Sequence, residues 1–132
     1  MTPEAEEHLL RAREYLRKAH QLLAAVRLHD EAARAAYLAG FHAAQALISE
    51  RTGRIARTHR GVRSAFSRLS KADPRLDRSL TQFLGRGYRR KEMVDYGVGA
   101  QAVVSEPDAR ELTNSAARFI DVIAQILTEG AG

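Results

Sequence analysis

The sequence predicts an all-α fold, an up-and-down bundle of four to five helices. Apolar residues recur in alternating threes and fours through most of the chain, which is the period of a helix with one buried face. Residues that start and stop helices punctuate these runs at short intervals. No run alternates apolar and polar residues as a half-buried strand would.

The first helix is expected from about Pro3 to Arg27. Thr2 is placed to cap it, and Pro3 suits the first helical position, where its missing N–H is not needed. Glu4, Glu6 and Glu7 follow, where the positive end of the helix dipole favours acids. Leu9, Ala12, Leu16, Ala19, Leu23 and Val26 make its apolar stripe. The short link Leu28-His29-Asp30 makes the next helix an antiparallel neighbour, with Asp30 as its cap.

That second helix, Asp30 to about Arg51, is expected at the centre of the bundle. Tyr37, Phe41, Ala44 and Ile48 form one stripe, and Ala36, Ala39, Gly40, Ala43 and Ala46 surround it. Small side chains on several faces let neighbouring helices come close. Gly53 can stop the helix in the left-handed conformation. Thr58 caps a third helix, about His59 to Ser70, with Val62, Phe66 and Leu69 inward.

Asp73-Pro74 reads as a stop and a restart, with Asp73 the cap and Pro74 the first residue of a fourth helix reaching about Tyr96. Leu76, Leu80, Phe83, Leu84 and Tyr88 face inward, and Gly85 and Gly87 mark a bend or a close backbone approach. Residues Gly97 to Val104 form a loop. Ser105-Glu106-Pro107-Asp108 resembles a capping box that opens a fifth helix to about Thr128, with Leu112, Ala116, Phe119, Ile123 and Ile126 on one face.

The 132 residues are expected to form one domain, 1–132, around a single core. The absence of cysteine excludes disulfides and thiolate metal sites. No segment is long and apolar enough to span a bilayer, and the start MTPEAEEHLL is acidic, so a cytoplasmic protein with no membrane partner is expected. The net charge is +5, and 18 Arg against 3 Lys supply the positive side. The guanidinium fork grips phosphate at two points, and basic residues cluster in 51–63 and 86–91. These features point to a polyanionic partner, nucleic acid or nucleotide, set against a merely solvated basic surface.

The densest polar cluster is Tyr88-Arg89-Arg90-Lys91-Glu92-Met93-Val94-Asp95-Tyr96. On a helix, Tyr88, Lys91 and Asp95 stack on one side, and Arg89 lies over Tyr96. An acid in a last turn opposes the helix dipole, and Lys before Asp is the weaker order for a pair, so a task beyond local stability is expected. His59 and Arg60 open a helix whose first N–H groups attract anions, which makes them candidate phosphate contacts. Arg89 joins them as a nucleotide- or RNA-binding candidate. No GxGxxG, P-loop, GxSxG or HExxH occurs, and His42 and His59 lack local ligand spacing, so neither metal nor cofactor is expected.

Three motifs in order, Arg34-Ala-Ala-Tyr37-Leu-Ala-Gly-Phe41-His42-Ala-Ala-Gln45-Ala-Leu47, then Thr58-His59-Arg60-Gly61-Val62, then Lys91 to Asp95-Tyr96-Gly97, resemble the HEPN domain family. The similarity runs from the first helix to the fifth and is nearest to small stand-alone prokaryotic members. It implies a helical bundle, usually a homodimer. Many such proteins act as toxins that cleave RNA without metal, with a small nucleotidyltransferase as antitoxin. Their signature is Arg, four to six residues, then His, at a helix end facing its copy. In some pairs the antitoxin adenylylates a Tyr just after that His.

Carried onto this sequence, the resemblance implies Arg90, Lys91, Asp95 and Tyr96 as catalytic positions, with Asp95 where the signature has His. Asp ionises near pH 3.9, far from the neutral value that suits proton transfer. Two readings follow: a ribonuclease working through a dimeric basic cleft near helices two and four, or a non-catalytic module that binds a nucleotide or a partner. A helix-turn-helix DNA reader built on Thr58 to Leu69 is disfavoured, because no tight turn precedes it.

Overall fold

The computed structural model describes residues 1–26, 28–96 and 104–130. Five helices follow one another: α1 (Pro3–Gln21), α2 (His29–Thr52), α3 (His59–Ala72), α4 (Arg78–Tyr96) and α5 (Glu106–Gly130), with a π-helical turn, Leu22–Val26, after α1. No strand occurs among the described residues. The long first helix read from sequence is therefore α1 plus this wider turn, and Arg27 lies outside the described residues.

Long-range polar contacts fix the directions. The Thr2 backbone N–H donates to Glu50 at 2.7 Å, so the start of α1 meets the end of α2 and the pair is antiparallel. Arg118 with Asp77, Arg86 with Glu111 and Arg90 with Asp108 tie α4 antiparallel to α5. Arg34 with Asp95 does the same for α2 and α4.

α2 is the central helix, as its alanines predict, and touches each of the other four. Fifteen of its residues are buried, from Ala32 to Ser49. Its Ala-rich faces are used against the other helices of the chain. Gly40 lets Phe83 of α4 lie against the α2 backbone, because a Cβ there would collide with the Phe83 ring. Gly87 does the reverse, admitting Tyr37 against α4, and a Cβ there would stand 2.8 Å from the Tyr37 ring. The expected close approach is thus found at Gly87, whereas Gly85 faces open space except for Arg89.

Phe66, Phe83 and Phe119 join α3, α4 and α5, with ring centroids 5.2 and 5.6 Å apart. Each such pair contributes about 0.5–1.5 kcal/mol beyond the burial of its area. Leu112, Ala116, Ile123 and Ile126 complete the α5 face. On α1, Leu9, Ala12 and Ala19 are buried, as is Leu23 in the turn that follows. His8 and Tyr15 of α1 stack against His42 of α2, with centroids 6.4 and 5.3 Å away.

The helix ends largely follow the sequence signals. Thr2 Oγ1 accepts from Ala5, Thr58 Oγ1 from Gly61 and Ser105 Oγ from Asp108, and Gly53 closes α2 at φ 70°. Two expectations are corrected. Asp30 does not cap α2, which starts at His29 with no side-chain cap; its carboxylate accepts the Val104 N–H at 2.8 Å and anchors the start of α5. α4 begins at Arg78, not Pro74: Asp73 holds Arg75, and Asp77 accepts the Ser79 N–H as the actual cap. Of the expected loop from Gly97 to Val104, residues 97–103 lie outside the described residues, and Val104 is buried.

Candidate functional site

Three segments meet at one end of the bundle: α2 around Arg34–Phe41, the start of α3 and the end of α4. The Thr58 cap sets His59 at the first position of α3. Its Nδ1 lies 2.7 Å from the hydroxyl of Tyr37, which is fully buried. Burial raises the Tyr37 hydroxyl above the ordinary phenol value of 10, outweighing the pull of Arg63, so it keeps its proton. A buried O–H needs an acceptor, and His59 Nδ1 is the one it has among the described residues. His59 is thereby assigned the tautomer with its proton on Nε2.

Aromatic side chains hold that imidazole on three sides. Phe41 and Tyr88 lie 4.7 and 5.1 Å from it, and Tyr37 5.6 Å. Arg63 sits over the Tyr88 ring at 4.5 Å, a cation–π contact. Burial first, and then the charges of Lys91 and Arg63, push His59 below its ordinary value, only partly opposed by Glu92 and Asp95. The ring is therefore neutral near pH 7, and its Nε2 has no hydrogen-bond partner among the described residues.

Beside it, Asp95 closes two cations together. Arg34 Nε donates to one carboxylate oxygen at 2.9 Å, and Lys91 Nζ donates to the other. Lys91 is 13% exposed and Asp95 25%, so the triad is partly shielded from solvent. The hydrogen bond and charge of Lys91, with help from Arg34, hold the Asp95 carboxyl below the usual carboxylate range. It stays ionised, already carries two donors, and is poorly suited to exchange a proton with a substrate. Tyr88 does not share this triad. Its hydroxyl donates to Glu92, which raises its own ionisation above the ordinary range.

The candidate residues named from sequence are thus divided. His59, Lys91 and Asp95 come together. Arg90 points elsewhere, onto Asp108 of α5 at 3.2 Å. Tyr96 ends α4 with 75% of its surface exposed. Arg60 and Arg89 are exposed, with no ion pair among the described residues. Sequence reasoning misses Arg34 and Arg63 as site residues and reads Tyr37 only as core; Tyr88, stacked with Lys91 and Asp95 by spacing, instead packs on His59. The one signal for Arg34 and Tyr37 is an Arg and a Tyr three residues apart inside an Ala-rich helix. Among the described residues no three His, Asp or Glu side chains gather as metal ligands. No helix there is long and apolar enough to cross a membrane.

Fold and site together define a helical-bundle domain with a basic, histidine-bearing notch where α2, α3 and α4 meet. The family model of the HEPN domain matches residues 5–127, nearly the whole chain, and the chain belongs to that family. No curated protein matches it.

Proposed function

We propose that this chain is the HEPN component of a toxin–antitoxin-type pair with a small nucleotidyltransferase, and that its notch binds phosphate groups of RNA or a nucleotide without cleaving them. The observation that carries this reading is the contrast between His59 and Asp95. His59 offers a neutral N–H donor in the first turn of α3, with the exposed Arg60 next to it in the chain, where helix-start backbone N–H groups also favour an anion. Asp95 at the signature position is an ionised brace. Metal-independent cleavage needs one group to take the 2′-hydroxyl proton and another to supply one to the leaving oxygen. Neither a carboxylate that already accepts from Arg34 and Lys91 nor a neutral N–H tautomer is set up for that exchange. Tyr96, mostly exposed at the end of α4, is open to a nucleotidyltransferase, which is the basis for keeping that enzyme as the partner class.

The test incubates the protein with total RNA in EDTA and, separately, measures fluorescence anisotropy of a labelled short RNA. Wild type, His59→Ala, Lys91→Ala and Asp95→Asn are compared. Binding without cleavage, weakened by His59→Ala, is expected. Cleavage by wild type that disappears in Asp95→Asn overturns the binding reading in favour of a ribonuclease working through that carboxylate.

A further inference from the structure

The stretch from Arg51 to Ala72 contains six arginines and neither aspartate nor glutamate. On α4 and α5, Arg86, Arg90, Arg110 and Arg118 close onto carboxylates, while Arg78 and Arg89 do not among the described residues. Arg54, Arg57 and Arg68 have no such partner among the described residues. Beside them, between the last turns of α2, the link 53–58 and α3, lies a groove of about 370 Å³. Ile48, Ile55, Ala56, Ala65 and Leu69 make its floor and walls, and Arg54 and Arg68 stand at its rim. Ile55 is 49% exposed, an aliphatic side chain left open between two cations.

We propose that this groove seats an acidic segment of a partner protein, with one leucine- or isoleucine-sized side chain in the groove and carboxylates on Arg54 and Arg68. A volume of this size holds one or two side chains. Protein contacts concentrate their energy in a few side chains seated in desolvated pockets. The rim is uniformly positive, so complementarity calls for an acidic partner. A second copy of this chain would set arginine against arginine. Single-stranded RNA gains its base contacts from aromatic platforms, and this groove is lined by none. Gly61, in the first turn of α3, borders both sites, but its N–H is taken by Thr58 and none of the groove's side chains belongs to the phosphate notch, so the two sites are separately testable.

The chain has five isoleucines, so a spectrum with labelled isoleucine δ1-methyls resolves the groove from the α5 core. The probe is a synthetic helical peptide with a leucine stripe and glutamates on its other faces. It is expected to shift the methyls of Ile55 and Ile48 and leave those of Ile120, Ile123 and Ile126 in place. Ile55→Glu or the double change Arg54→Glu and Arg68→Glu should weaken it about tenfold or more, with circular dichroism unchanged. Lys91→Ala should leave it unaffected, which separates failure here from failure of the phosphate reading. The proposal is overturned if Ile55 does not respond, or if a glutamate peptide without the leucine stripe binds equally well. It is also overturned if oligo(U) shifts Ile55 and the peptide cannot displace it, or if Ile55→Glu dissociates a dimer of the chain itself.

Discussion

Arg34 and Asp95, 61 positions apart in the chain, are joined by a 2.9 Å hydrogen bond at the notch. With Lys91 on its second oxygen, the Asp95 carboxylate fills the seat between two cations that an incoming anion would take. Asp95→Asn keeps the shape and removes the charge. Binding of a short RNA, or of inorganic phosphate, should tighten several-fold, while stability falls by about 0.5–1 kcal/mol because the pair is partly exposed. Isothermal calorimetry checks the first and urea denaturation the second. Weaker binding in Asp95→Asn would mean that the carboxylate itself touches the ligand.

Tyr37→Phe removes the donor that fixes the His59 tautomer. One buried hydrogen bond is worth about 1 kcal/mol, and the loss should appear in urea denaturation. Nitrogen-detected NMR of the imidazole should show the proton on Nε2 in wild type and a mixture of tautomers in the variant. An unchanged ring would break the assigned Tyr37–His59 relationship.

His8, His42 and His59 are all held below their ordinary value of 6.5, mainly by burial. Arg11 adds to this at His8 and His42, and Gln45 opposes it at His42. The unfolded chain therefore takes up protons at these sites before the folded one does, and stability falls as pH drops below about 6.5. The depressed carboxylates of Asp73, Asp77 and Asp95 act later. Their contribution is intact above their ordinary value of 3.8 and is lost below it, as pH falls toward about 2 for Asp77. Thermal unfolding between about pH 7.5 and 5.5 should show a declining midpoint, and His42→Gln should flatten that decline.

Gly85 and Gly87 offer a paired test on one helix. A methyl at Gly85 meets nothing closer than Arg89 at 3.7 Å, whereas at Gly87 it runs into Tyr37 at 2.8 Å. Gly85→Ala should stabilise by about 0.5–1 kcal/mol through helix propensity. Gly87→Ala should destabilise by about 1–3 kcal/mol through overpacking and disturb the His59 ring signal. Equal effects from both would remove the case for close approach at Gly87.

The bundle was legible because stripes such as Leu112, Ala116, Phe119 and Ile123 declare a buried face, and because Thr2, Gly53, Thr58 and Ser105 mark ends by local chemistry. The notch was legible only in part. Spacing on α4 gave the Lys91–Asp95 pair, since both residues lie on one helix. It could not say that Arg90, one residue earlier, turns to Asp108, or that Arg34 arrives from α2, because those partners depend on how helices rotate against one another. Asp30 misled for the same reason: a residue fit to cap its own helix instead bonds Val104, far along the chain.

Because α2 is sheathed by all four of its neighbours, none of them can detach without stripping water-excluded contacts from it. Amide hydrogens in residues 35–48 should exchange with solvent only through complete opening of the chain. Their exchange rates would then read the stability of the whole molecule, and any ligand that grips the native form should slow them all together.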